Sequence, residues 1–344
     1  MPGGEGVTGA WREAIAAEGR TWLVTGGAGF IGSHLVEQLL AMGQRVRCLD
    51  NFATGLRANL EIATAGATDR FSLIEGDIRD PVACIEACRG ADVILHQAAL
   101  GSVPRSLKDP LTSHEVNVTG FLNVLQAARG AGIRRVVYAS SSSVYGDHPT
   151  LPKVETQVGR QLSPYAVTKF ADELYAHVFG LAYDLELIGL RYFNVFGPRQ
   201  DPNGPYAAVI PIWFRCLFTG EQAFVNGDGE TSRDFCYVAN VVQANLLAAT
   251  TNKPEAMGRA YNVACGERTT LKALFELMKR AATRLQPTAA EAGLEHRNFR
   301  EGDVHHSLAD ISRATTLLGY VPEVLVAQGI EACAGWYEAE VSKS

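Results

Sequence analysis

The 344-residue sequence has no run of the roughly 18 apolar residues that a membrane-crossing helix requires. It also lacks a block of Lys and Arg. Its 31 basic residues are interspersed with 37 acidic ones, a formal net charge of −6, which sets aside the concentrated positive surface of a nucleic-acid binder. Cysteine is sparse: seven residues, Cys48, Cys84, Cys88, Cys216, Cys236, Cys265 and Cys333, odd in number and scattered, suit reduced thiols in the cytoplasm rather than a disulfide framework. Cys84 and Cys88 stand four apart, but no second pair or neighbouring His completes a zinc site, so no metal is expected. Residues 1–19 have neither the basic start nor the apolar stretch of a secretory signal. They read as a loose extension with a short helix around Trp11 to Ala17.

What is present is an ordinary globular composition, 47% hydrophobic and 20% charged, in a chain long enough for two lobes. Short β-branched runs mark strands at Thr21–Thr25, Val46–Leu49, Phe71–Ile74, Val93–Leu95, Val136–Tyr138 and Leu185–Ile188. Between them, helical spacing runs from Ile31 to Met42, closed by Gly43, and near 81–89, 113–130 and 165–182. This alternation predicts an α/β fold, a Rossmann-type doubly wound parallel sheet. Past Arg191, Pro198, Pro202, Gly204, Pro205 and Pro211 crowd a loop-rich stretch, which predicts a smaller α/β lobe at the sheet's carboxyl edge. Tyr261–Ala264 reads as a strand returning to the main sheet. The expected division is an extension (1–19), a dinucleotide-binding domain (20–192, with returning segments about 236–264 and 304–336) and a ligand lobe (193–235 and 265–303).

Thr25-Gly-Gly-Ala-Gly-Phe-Ile-Gly32 follows a predicted strand and opens a predicted helix. Glycine lets the backbone approach a pyrophosphate, whose charge the helix N-terminus stabilises. Eighteen residues after Gly32, Asp50 ends the next strand, where a carboxylate can bond the adenosine ribose and repel a 2′-phosphate. With Asn51 beside it and no adjacent Lys or Arg, NAD is favoured over NADP. Asp77 ends the third strand and can meet the adenine. His96-Gln97-Ala98-Ala99 ends the fourth, with small residues where the dinucleotide crosses; His96 itself reads as structural.

Ser163-Pro-Tyr165-Ala-Val-Thr-Lys169 puts a phenol and an ammonium one helical turn apart on the same face. A free tyrosine, with a pKa of about 10, is a poor base at neutral pH, and a neighbouring positive charge favours its phenolate. Tyr-x-x-x-Lys alone recurs by chance on amphipathic helices. Here it follows Tyr138-Ala-Ser-Ser-Ser-Ser-Val-Tyr-Gly146, whose serines stand at a strand's carboxyl end and can bond a substrate hydroxyl.

On these residues the chain resembles the extended short-chain dehydrogenase/reductases, and within them the nucleotide-sugar 4-epimerases. The resemblance spans about residues 20–336. It extends through Leu100-Gly-Ser-Val-Pro-Arg105, Arg191-Tyr-Phe-Asn-Val-Phe-Gly197, Gly227-Asp-Gly-Glu-Thr-Ser-Arg-Asp-Phe235 and Arg300-Glu-Gly-Asp303. It is greatest to the bacterial UDP-N-acetylglucosamine 4-epimerases. The resemblance implies Tyr165 as acid and base, Lys169 as its partner, Ser141 on the sugar O4, and Ser142 and Ser143 placing the sugar. It implies tightly bound NAD, held by Gly26, Gly29, Phe30, Ile31, Gly32, Asp50, Asn51, Thr54, Gly55, Asp77, Ile78, Gln97, Ala98, Ala99, Tyr165, Lys169 and Tyr192. Asn194 and Arg233 match positions at the UDP diphosphate, and Arg300 and Asp303 positions near its nucleoside, with Ser102, Val209 and Asn226 also at the substrate. Gly101, Ser143, Asn194, Gln200, Ala208 and Ser307 match pocket-wall positions. The small Ser307 above all implies room for an acetamido group, which Gln200 or Asn194 could bond.

The reaction so implied is reversible C4 epimerisation of a UDP-hexose, with UDP-N-acetylglucosamine and UDP-N-acetylgalactosamine preferred. UDP-glucose or a UDP-uronate is the alternative substrate. A 4,6-dehydratase would carry an Asp-Glu pair where Ser142 and Ser143 stand, and an NAD-sensing regulator would lack Tyr165, Lys169 or the serines. The resemblance further implies a homodimer through a four-helix bundle of the helices at 113–130 and 165–182, which carry Phe121, Leu122, Leu125, Phe170, Leu174 and Val178.

Overall fold

The computed structural model describes residues 10–202, 207–299 and 305–343. From the N-terminus, α1 (Ala10–Ala16) precedes β1 (Thr21–Thr25), α2 (Phe30–Ala41), β2 (Arg45–Asp50), α3 (Arg57–Ala63), β3 (Phe71–Glu75), α4 (Pro81–Cys88) and β4 (Val93–His96). Then come α5 (Val103–Lys108), α6 (Pro110–His114), α7 (Gly120–Gly130), β5 (Arg135–Ser141), α8 (Pro164–Tyr183) and β6 (Glu186–Tyr192). One helix is expected over 113–130, but the chain starts earlier and is interrupted. Asp109 accepts from the Thr112 N–H and Pro110 takes the first turn of α6, and a π-helical turn over Glu115–Thr119 leads into α7.

With β11 (Arg259–Val263), which lies further along the chain, the strands form one seven-stranded sheet in the order β11-β6-β5-β4-β1-β2-β3, every pair parallel. β1 lies between β2 and β4, so the chain reverses its direction of travel there, and a crevice opens beyond the strand ends. One apolar cluster, with Trp22, Leu35, Leu39 and Val241, covers one face. Another, with Phe121, Leu125 and Phe179, covers the other.

The remaining elements are β7 (Val195–Phe196), α9 (Val209–Thr219), β8 (Ala223–Asn226), β9 (Ser232–Arg233), β10 (Cys236–Tyr237), α10 (Val238–Thr250), β12 (Thr269–Thr270), α11 (Leu271–Leu285), β13 (Leu294–Arg297), α12 (Ser312–Leu318) and α13 (Val326–Val341). A separate core gathers Trp213 and Phe214 of α9, Phe275 and Met278 of α11, and Ile330 and Tyr337 of α13. Thus α13, in a segment expected partly to return to the first domain, packs in the second core.

Of the expected extension, residues 1–9 lie outside the described residues, and residues 10–19 are not loose. Ile15 of α1 is 3% exposed, Gln44 donates to its carbonyl at 3.0 Å, and Trp11 and Arg12 both donate to Glu323. All seven cysteines are free thiols and buried.

Candidate functional site

A cavity of about 500 Å³ lies beyond the carboxyl ends of the strands, and every residue expected to hold the cofactor lines it. Its floor is the glycine turn between β1 and α2. Gly26 has φ +70°, and a Cβ there would lie 2.7 Å from the Ala98 nitrogen, so only glycine lets the two loops meet. A Cβ on Gly32 would collide with the Gly26 carbonyl oxygen, and one on Gly55 would lie 2.7 Å from the Ala28 Cβ. A cradle this free of side chains fits a dinucleotide laid against bare backbone.

Asp50 is fixed by N–H bonds from Ala28 and Phe52, both 2.8 Å, which leaves each oxygen a further lone pair. Burial pushes its carboxyl up, opposed by those two bonds. Asn51 donates to Asp77 at 2.8 Å. Arg79, which the sequence reading missed, also lines the cavity and grips Asp77 through Nε and Nη2, at 3.1 and 2.7 Å. Its hydrogen bonds hold the Asp77 carboxyl below the usual carboxylate range. Only the fold reveals this cation, since Arg79 follows the strand and carries no motif.

At the far end, Tyr192 donates to Gln97 at 3.0 Å and accepts from Asn245 at 2.8 Å, while Gln97 donates to Asn245 at 3.0 Å. Burial raises the Tyr192 phenol, keeping it neutral. Asn245, on α10, is distant in sequence and was not anticipated. His96 is fully buried, bonded through Nδ1 to Thr25 at 2.8 Å, and pushed down to about 3 by burial and then by Lys169, so it is a neutral structural group.

Tyr165 and Lys169 face this cavity from the start of α8. Ser163 caps the helix through Ala166 N–H and Pro164 fits its first turn. Ser106 Oγ accepts from the Tyr165 N–H at 3.0 Å, and Thr168 donates to the Tyr165 carbonyl while accepting from Asn117. Lys169 is 2% exposed, with Nζ 3.3 Å from Asp172 Oδ2. Of the four serines, Ser140 lines the cavity and donates to Glu173 at 2.6 Å. Ser141 Oγ accepts from Ser143 N–H, capping a single turn over Ser142–Tyr145. Ser143 Oγ is buried with no partner among the described residues.

Gly101 and Gln200 line the same cavity. Gln200 donates to the Val195 carbonyl at 3.2 Å, and Asn194, with φ +34°, donates to the Asp234 carbonyl at 3.2 Å. Ser102 caps α5, Ala208 precedes α9 and Val209 opens it, and Asn226 ends β8 opposite Arg297. Arg233 donates to the carbonyls of Ser232 and His305, both at 3.1 Å, and Ser307 N–H donates to Ser232 at 3.0 Å. Arg300 and Asp303 lie outside the described residues. Behind this wall, the Asp234 carboxylate accepts from the backbone N–H groups of Cys265, Gly266 and Ala309 at 2.9, 3.0 and 3.2 Å.

A family model described as the NAD dependent epimerase/dehydratase family matches residues 22–264. A UDP-glucose 4-epimerase of Mycolicibacterium smegmatis is 39% identical over 310 residues, covering 90% of this chain and 95% of that protein. The structure of UDP-N-acetylglucosamine 4-epimerase from Methanobrevibacter ruminantium M1, in complex with UDP-N-acetylmuramic acid, superposes with a TM-score of 0.85 at 35% identity, over 94% of this chain and 99% of that one. The UDP-glucose 4-epimerase of Thermus thermophilus, in complex with NAD, gives 0.79 at 35% identity, over 92% and 98%.

Proposed function

The chain belongs to the NAD-dependent epimerase/dehydratase family, and from that membership we propose that it is a UDP-sugar 4-epimerase. One observation carries the reading: Tyr165, Lys169 and the glycine cradle open into a single cavity. The cradle, Asp50 and Asp77 would hold NAD, which when bound accepts and returns the C4 hydride. Tyr165 then handles the proton. It removes the O4 proton as the 4-keto sugar forms, and returns it after the sugar has turned about its diphosphate link to present its other face. Lys169, one helical turn on along the same face, is the partner of Tyr165, and Ser141 bonds O4. Because the hydride goes back, NAD is regenerated in each turnover and stays tightly bound.

The acetylated sugars are the preferred substrates in this reading. Gly101, Ala208 and Ser307 give the sugar wall little side-chain bulk, and the M. ruminantium relative acts on UDP-N-acetylglucosamine. Asn194 and Arg233 take the diphosphate, since an arginine fork matches phosphate oxygens. At Ser142 and Ser143 no carboxylate is available to protonate a departing hydroxyl, which disfavours the dehydratase reaction.

The protein also forms a homodimer, with α8 at its centre. Leu174, Val178 and Leu181 of α8 are 56%, 53% and 77% exposed, beside Leu107 and Leu111 at 62% and 76%. Phe121 and Leu125, expected at this interface, lie instead in the protein's own core at 0% exposure.

The test is incubation with UDP-N-acetylglucosamine and with UDP-glucose, no NAD added, following the anomeric proton by NMR. The expected result is UDP-N-acetylgalactosamine at a stable ratio, with slower turnover of UDP-glucose. No product from either sugar defeats the epimerase assignment.

A further inference from the structure

We propose that Asp172 is a positioning residue for Lys169: it anchors the ammonium one helical turn beyond Tyr165 and offsets part of the positive charge that reaches the phenol. The proposal rests on the reading of Tyr165 as the group that exchanges the O4 proton. Lys169 and Asp172 pair at 3.3 Å with side chains 2% and 1% exposed, so neither is screened by solvent. Asp172 Oδ1 has no hydrogen-bond partner among the described residues.

The other ionisable groups nearby are committed elsewhere. Glu173, next on α8, is paired with Arg191 at 2.7 Å and accepts from Ser140. Tyr138 of β5 is a buried phenol, its ionisation opposed by burial and by the two carboxylates. His96 of β4 is neutral. Lys169 is therefore the cation that Asp172 addresses. A carboxylate turned toward a sheet costs stability, and burial pushes this one up to about 7, opposed by Lys169. An apolar residue would pack there without that cost. Above about pH 7, where it is ionised, the carboxylate supplies a counter-charge whose removal leaves the full field of the ammonium on Tyr165.

The test compares NAD-loaded wild type and Asp172→Asn through the pH dependence of kcat/KM and through tyrosinate absorbance, with Tyr165→Phe subtracted. In Asp172→Asn the Tyr165 absorbance step is expected at lower pH by roughly half to one unit where it falls above about pH 7, the range in which Asp172 is ionised, so kcat/KM on the acidic limb there rises about 3- to 10-fold. Asp172→Glu should return both toward wild type. Asp172→Ser, which also removes the charge, is expected to shift both in the same sense and serves if the Asn variant does not fold. Superimposable curves for wild type and the charge-removing variant overturn the proposal. Absence of turnover in the wild type would defeat the epimerase reading alone, and the absorbance titration would still decide the role of Asp172.

Discussion

Gly32, in the first turn of α2, sits directly against the carbonyl of Gly26, so close that any side chain there would overlap the oxygen. Both positions are backbone, and backbone does not yield as a flexible side chain does. Gly32→Ala should therefore cost about 1–3 kcal/mol of stability. It should also expel NAD, because the turn that would bear the pyrophosphate must move. Thermal unfolding and NAD absorbance after gel filtration check both effects; a variant that keeps wild-type Tm and cofactor contradicts this account.

Tyr165→Phe removes one hydroxyl from a helix start that is capped by Ser163 and held through backbone bonds to Ser106 and Thr168. Folding should survive, with kcat lowered by about 10²- to 10⁴-fold. NMR turnover at matched circular dichroism is the measurement, and near-full activity would remove Tyr165 from the mechanism.

On the proposed reading, Ser307→Tyr would fill the sugar wall while leaving the cofactor cradle intact. UDP-N-acetylglucosamine turnover should fall about tenfold or more, with UDP-glucose turnover affected far less. Equal losses on the two sugars would refute the role given to this wall.

His34 accepts from Arg199 through Nδ1 at 2.6 Å and donates through Nε2 to the Pro198 carbonyl at 3.0 Å, an arrangement that needs the neutral ring. Burial, then the Arg199 charge, push it down to about 4. Its folded-state value is thus depressed below the unfolded value. Its contribution is complete above about pH 6.5 and is lost as pH falls toward 4, by about 3 kcal/mol. Replacement by Gln should flatten the fall in Tm between pH 7 and 4. An unchanged slope would assign acid sensitivity to other groups.

Leu174→Glu places a charge in the exposed apolar face of α8. If that face is the dimer interface, sedimentation should report a monomer whose Tm depends less on concentration. A wild type already monomeric at micromolar concentration would dispose of the homodimer.

The glycine turn, Asp50 and the Tyr165–Lys169 pair were legible because each is encoded within a few consecutive residues. Their structural requirements, a turn without side chains and one helical turn of spacing, are local. Arg79, which lines the cavity, and Asn245, which holds Gln97 and Tyr192 of its lining, were not legible, because each comes from a segment with no motif. The apolar positions of α7 left open whether they meet the sheet or a partner; Phe121 and Leu125 cover the sheet, since sequence spacing cannot say which neighbour an apolar stripe meets. Asp172 was silent for a related reason. A Lys and an Asp three apart on a helix ordinarily form a solvated surface pair, and only the depth of α8 against β5 makes this one a buried charge.

Asp234 ties β9, the turn after β11 and the segment at Ala309 to one carboxylate. The segment that carries Arg233 is thereby joined to the turn that follows β11 of the main sheet. On the proposed reading, a larger sugar would gain its space from small side chains along the wall, Ser307 among them.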